Sequence, residues 1–167
     1  QSDDECLRLE YQREIRKLME RVVVTARRLY PDLEEREIKF RFEVAPSAEA
    51  GVLSNAGGSI IVLQGTHDLR LPDSVLAYVI AREMGHVIGR HHDENSAATV
   101  MFSVLTQVLF PAAALVKGLS VVLPTTAVGT AATASALSYL GATALKTTYR
   151  SDHLREAAEI ALTLLAE

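Results

Sequence analysis

Cysteine occurs once in these 167 residues, at Cys6. So little cysteine excludes an internal disulfide and any zinc module built on several thiolates. Cys6 sits in "QSDDEC" among acidic neighbours, a setting that does not lower a thiol pKa, and it is read as incidental. A basic surplus is missing too. The net charge is −4 and the pI about 5.8, which argues against a nucleic-acid partner, because phosphate binding needs clustered Lys and Arg. The basic residues are concentrated in 8–41 and interleaved with Glu, as on a solvated helix face. No secretory signal pattern, internal repeat or linker-like stretch stands out. Residues 1–167 therefore read as a single domain, long enough to bury a sizeable core.

Charge is absent from two long stretches, 95–116 and 118–145. The second contains Pro124 and three glycines with many Thr and Ser, and the first carries Gln107 and Pro111. Both are poor bilayer spans. The 99–145 region is expected to form a buried or peripherally membrane-touching helical hairpin.

Elsewhere the patterning is clear. Leu7, Tyr11, Ile15, Leu18, Val22, Ala26 and Leu29 form one helix stripe over 4–30, ended by Pro31. "EIKFRFEV" (37–44) alternates as a half-buried strand. The stretch 45–58 is turn-rich and leads into "SIIVLQ" (59–64), a second strand bounded by glycines. A helix follows over about 73–90, with Pro72 and Asp73 in the cap positions, and it is apolar nearly all round. Such a helix belongs at the centre of a fold. "RSDHLREAAEIALTLLAE" (150–167) closes the chain as a helix capped by Ser151 or Asp152. The predicted class is α+β, mainly helical with a small antiparallel sheet.

The central helix carries "AREMGH". In an H-E-x-x-H site, histidines at i and i+4 hold zinc and the glutamate at i+1 polarises a metal-bound water. Here those places hold Arg82, His86 and Glu83. A guanidinium stays protonated and cannot ligate a metal.

The run 51–92 and the hairpin and helix after it resemble the M48 family of zinc metallopeptidases, whose helix reads roughly L-A-x-V-x-A-H-E-x-G-H-x-x-x-x-H. The matching residues are Leu76, Ala77, Val79, Ala81, Glu83, Gly85, His86 and His91 or His92. The resemblance implies a minigluzincin-like metallopeptidase domain. It also implies that Ser59, Ile60, Ile61, Val62 and Leu63 form an edge strand that holds extended substrate. The family's third ligand is a glutamate on the last helix, within Y-S-R-x-x-E-x-x-A-D. Aligning Tyr149, Ala157 and Ala161 puts Leu154 at that ligand and Ala158 at the supporting aspartate. Glu156 lies about 200° round the helix from Leu154.

The resemblance thus implies a catalytically degenerate pseudopeptidase. In it Glu83 is a vestigial general base and His86 a remnant ligand, and no cofactor is expected. Arg82, Leu154 and Ala158 replace the metal site, with Arg82 expected to neutralise Glu83 or Asp93. The partner would be a peptide or protein along the edge strand, with membrane contact through 99–145. Family members of this kind point to the bacterial periplasm or a membrane-associated location. Two other readings stand beside it. One is an active zinc metalloendopeptidase with an altered ligand set, His86 plus some of His91, His92, His153 or Glu156. The other is a membrane-associated scaffold built on the hairpin. The "RHHDEN" stretch is expected to be a solvated helix end, and His67 a loop residue.

Overall fold

The computed structural model describes residues 2–92 and 149–167. The expected 99–145 hairpin, its membrane contact and the proposed Asp93 partner of Arg82 lie outside the described residues. Among those described, no helix is long and apolar enough to cross a membrane.

Helix α1 (Ser2–Leu29) buries Tyr11, Ile15, Met19, Val22 and Ala26, a repeat of three and four that forms a single stripe. Leu7 and Leu29, expected on that stripe, are exposed. A short helix, α2 (Asp32–Glu35), turns the chain into β1 (Arg41–Ala45), which buries Phe42 and Val44. Strand β2 (Val52–Ser54) and strand β3 (Ser59–Leu63) complete the sheet.

The strand order is β1-β3-β2, with β1 parallel and β2 antiparallel to β3. The sheet is therefore mixed, where a purely antiparallel one was expected. The connections explain both directions. Between β2 and β3 the side-chain oxygen of Asn55 accepts from the amides of Gly57 and Ser59, at 3.0 and 2.9 Å. Gly58 takes φ +87°, a conformation only glycine adopts readily. That tight turn reverses the chain, whereas the longer path from β1 to β3 lets it return in the same direction.

A second correction follows from the order. Ser59–Leu63 was expected at the sheet edge but occupies the centre, paired on both sides. The edges are β1 and β2. Side chains of α1 cover the first: Arg8 and Arg16 donate to the carbonyls of Val44 and Phe42, and Gln12 accepts from the Val44 amide.

After α3 (Gly65–Asp68), helix α4 (Asp73–Ile88) crosses the molecule, and α5 (Ser151–Ala166) packs along it. His67, read as a loop residue, lies in α3 with its ring 4.8 Å from that of Tyr11. Pro72 and Arg150 stand at the N-caps of α4 and α5 without a side-chain cap bond, so neither Asp73, Ser151 nor Asp152 caps a helix. At its other end α4 is held by Arg36, which donates to the carbonyls of Val87 and Ile88 at 2.8 and 3.1 Å.

Ile15, Met19, Ile60, Ile80, Met84 and Leu164 are fully buried where α1, the sheet, α4 and α5 meet. Each such side chain stabilises the fold by about 1.5–3 kcal/mol relative to exposure. This core fixes the face of α4 on which the motif residues stand.

Candidate functional site

Close packing sets the relation of α4 to α5. A Cβ built on Gly85 would lie 2.5 Å from the Ala157 carbonyl oxygen. Only glycine permits this approach, so Gly85 and Ala157 mark a fixed crossing point. Leu154 lies one turn before Ala157 on α5.

Around that crossing α4 contributes Arg82, Glu83 and His86. Glu83 is buried, and its Oε2 accepts from Ser54 Oγ of β2 at 2.8 Å. The same hydroxyl is 3.0 Å from His92 Nε2, and His92 Nδ1 is 3.4 Å from the Tyr149 hydroxyl. Burial pushes the Glu83 carboxyl up to about 7, opposed by the Ser54 bond and the Arg82 charge. Glu83 is thus engaged by β2, and burial favours its neutral form.

His86 is fully buried. Desolvation first, then the charges of its histidine neighbours and Arg82, pushes its imidazole down to about 3. The Tyr149 ring stacks on it with centroids 3.6 Å apart. Burial and the Glu83 charge raise the Tyr149 hydroxyl pKa above its ordinary value. His86 Nδ1 is 2.9 Å from His91 Nδ1, and His91 Nε2 is 3.2 Å from Glu156 Oε2. His153 stacks on His91 at 4.3 Å. Of the chain's five histidines, all but His67 gather here.

Two expectations change at this cluster. His91 and His92 are buried at 2% and 4% exposure, where a solvated helix end was expected. The turn after α4 folds them back under Tyr149 and α5. Glu156 was placed on the wrong face to be a ligand, and it does not meet His86 directly. It reaches the cluster through His91. Ser54 was missed altogether, since nothing in "GVLSNAGG" marks it as the partner of a carboxylate more than twenty residues later.

Arg82 does not neutralise Glu83 through an ion pair. It is half-buried, and its Nε is buried without a hydrogen-bond partner. Its charge acts on Glu83, His86 and Tyr149 through space. Leu154, at the third-ligand position, is 40% exposed, and Ala158 is half-buried. Among the described residues no three His, Cys, Asp or Glu side chains are gathered so as to hold a metal ion. Among the described residues, a zinc ion placed as in H-E-x-x-H would find one imidazole nitrogen, His86 Nε2, on the helix that also carries the Arg82 guanidinium. That donor set does not fit zinc, which takes at least three protein ligands in catalytic sites.

No curated protein and no solved structure matches the chain. The family model of peptidase family M48 matches residues 10–167, nearly the whole sequence. The chain therefore belongs to peptidase family M48.

Proposed function

We propose that this chain is a non-hydrolytic member of its family, which binds an extended peptide along β2 without cutting it. The observation that carries this reading is Arg82 at the first ligand position, one helical turn from His86. A guanidinium there repels a divalent cation and offers it no lone pair. The third position supplies only the apolar side chain of Leu154. With neither ligand, no water is activated for Glu83 to deprotonate, and Glu83 keeps the Ser54 hydroxyl as its partner.

The strand that fits a peptide is β2, in place of Ser59–Leu63. Leu63 N donates to Gly51 O, and Asn55 N to Ser59 O. Antiparallel alternation therefore turns the amides of Gly51, Leu53 and Asn55 inward and those of Val52 and Ser54 outward. Among the described residues no hydrogen bond is made by the outward amides of Val52 and Ser54, although Ser54 is itself buried, whereas side chains of α1 pair with the edge of β1. An extended segment can add to β2 by backbone hydrogen bonds.

The rival reading is a zinc hydrolase with an altered ligand set, and it draws on the contact of His86, His91 and Glu156. Those groups already hydrogen-bond to one another, which leaves them poorly placed to converge on a metal. The two readings separate on incubation with unfolded casein. The expected result is retention of casein without cleavage, reduced by Val52→Pro, which removes an outward amide. Chelator-sensitive cleavage by the unaltered chain contradicts the proposal.

A further inference from the structure

Two guanidinium groups share one carboxylate at the C-terminal end of α4. Arg36 Nη1 lies 3.2 Å from Asp32 Oδ2, and Arg90 Nη2 lies 4.0 Å from the same oxygen. Arginine stays protonated in proteins, so one negative charge against two leaves a positive surplus. Both side chains line a cavity of about 320 Å³, together with Ile38, Ala56, Val87 and His92. No acidic side chain is among these, and Glu34 and Glu37 line a separate cavity. The volume stands at the lower end of the roughly 300–1,000 Å³ of small-ligand pockets. It suits one side chain or a chain end.

The backbone at Arg90 is strained. The turn after α4 closes with the Arg90 amide donating to the Val87 carbonyl and the His91 amide to that of His86. This is a Schellman turn, in which the residue just past the cap is left-handed and usually glycine. Arg90 takes φ +60° there, whereas Gly89, one residue earlier, has φ −72°. A left-handed conformation is unfavourable for a residue with a Cβ. Service to the helix end does not account for it, since Arg36 already donates to the carbonyls of Val87 and Ile88. Among the described residues the Arg90 guanidinium has Asp32 as its one charged partner, and its side chain is 60% exposed. Strain retained at such a place points to a task for the side chain.

The cavity adjoins β2. Ala56 follows Ser54 by two residues, and the His92 ring is 3.0 Å from the Ser54 hydroxyl. An extended chain advances about 3.3 Å per residue, so a peptide paired with Val52 and Ser54 reaches the cavity within a residue or two. We propose that Arg36 and Arg90 form a carboxylate subsite at the end of β2. It selects peptides that carry an acidic side chain or a free C-terminus just past the paired stretch. A carboxylate matches the flat guanidinium fork in shape and the single surplus charge in size. A phosphate dianion exceeds that surplus, and a basic side chain is repelled. This inference rests on the reading of β2 as the peptide-binding edge and adds the chemical class of the peptide.

The test uses the full chain labelled with nitrogen-15 and four peptides of alternating valine and threonine. One is acetylated and amidated. A second is blocked likewise but ends in glutamate, a third has a free C-terminal carboxylate, and a fourth is blocked and ends in phosphoserine. At low salt a carboxylate peptide should bind about fivefold more tightly than the neutral one, the scale of a partly exposed ion pair. It should shift the Arg90 Nε–H and the Ala56 amide as well as the amides of Val52 and Ser54. Whether the second or the third peptide gains shows if a side chain or a chain end enters. Arg90→Gly should erase the gain and leave the neutral peptide's affinity unchanged. Its thermal midpoint should equal or exceed that of wild type, because glycine suits the left-handed turn, so lost binding is not lost fold. Equal affinity for the neutral and carboxylate peptides overturns the proposal, as does a gain that survives in Arg90→Gly. Tightest binding of the phosphoserine peptide overturns the choice of carboxylate. Shifts at Val52 and Ser54 without one at Arg90 overturn the subsite while leaving β2 as the binding edge. Absence of both sets of shifts overturns the subsite and the strand reading together.

Discussion

The backbone of Ala157 occupies the place a side chain on Gly85 would need, with its carbonyl oxygen 2.5 Å from a Cβ built there. The crossing of α4 and α5 rests on that contact. Gly85→Ala must push the helices apart, since the obstacle is backbone and cannot rotate away. Overpacking of this kind costs about 1–3 kcal/mol, and the upper end is expected here. Urea denaturation checks it. A stability within about 0.5 kcal/mol of wild type, the range of neutral surface changes, would show that the helices are not in this contact.

Ser54 and Glu83 tie the edge strand to the motif helix. Ser54→Ala leaves a buried carboxyl without its donor and should destabilise by about 1–3 kcal/mol. The same bond lowers the Glu83 pKa, so its loss should raise that pKa further. Titration of carbon-13-labelled glutamate would follow it directly.

Glu83 and His86 make opposite demands on stability as pH changes. Glu83 rises from 4.5 to about 7 on folding, so the folded state binds its proton more tightly, and stability falls as pH climbs through that window. His86 drops from 6.5 to about 3, so its contribution rises with pH between those values. Between about pH 4.5 and 6.5 the two slopes oppose, and the wild type should be nearly flat there as far as this pair is concerned. Glu83→Gln removes one of them. Stability should then increase with pH by roughly 1.4 kcal/mol per unit across the same window. Denaturation curves for both proteins from pH 4 to 7 decide the matter, and parallel profiles would contradict the assignment.

Arg36 holds the last turn of α4 by two carbonyls and makes an ion pair with Asp32 at 3.2 Å. Hydrogen bonds from a charged donor are each worth about 1.5–3 kcal/mol when shielded, and half-burial reduces that figure. Arg36→Met is expected to lose about 1–2 kcal/mol and to speed amide hydrogen exchange at His91 and His92, whose turn starts there. Unchanged exchange would mean that the turn is held by other contacts.

Much of this was legible in the residues. The repeat of three and four along α1, the alternation of Phe42 and Val44 and the apolar length of α4 reflect burial patterns, and burial follows periodicity. The motif positions Arg82, Glu83 and His86 were legible because spacing along one helix fixes a face. Strand β2 was not, because Val52–Ser54 is too short to show an alternation and lies among turn formers. Missing it turned β3 into an edge on paper, although β3 is the centre of the sheet. The histidine cluster was equally hidden. His91, His92 and His153 stand on a turn and a separate helix, and only tertiary packing brings them to His86 and Tyr149.

Zinc stoichiometry is the most direct test of the claim that the metal site is gone. The unaltered chain, equilibrated with zinc and then freed of excess, is compared with a variant carrying Arg82→His and Leu154→Glu together. The account predicts far less than one zinc per chain in the former and a clear gain, toward one, in the latter. One tightly held zinc per unaltered chain, removed by a chelator together with peptide hydrolysis, would contradict it.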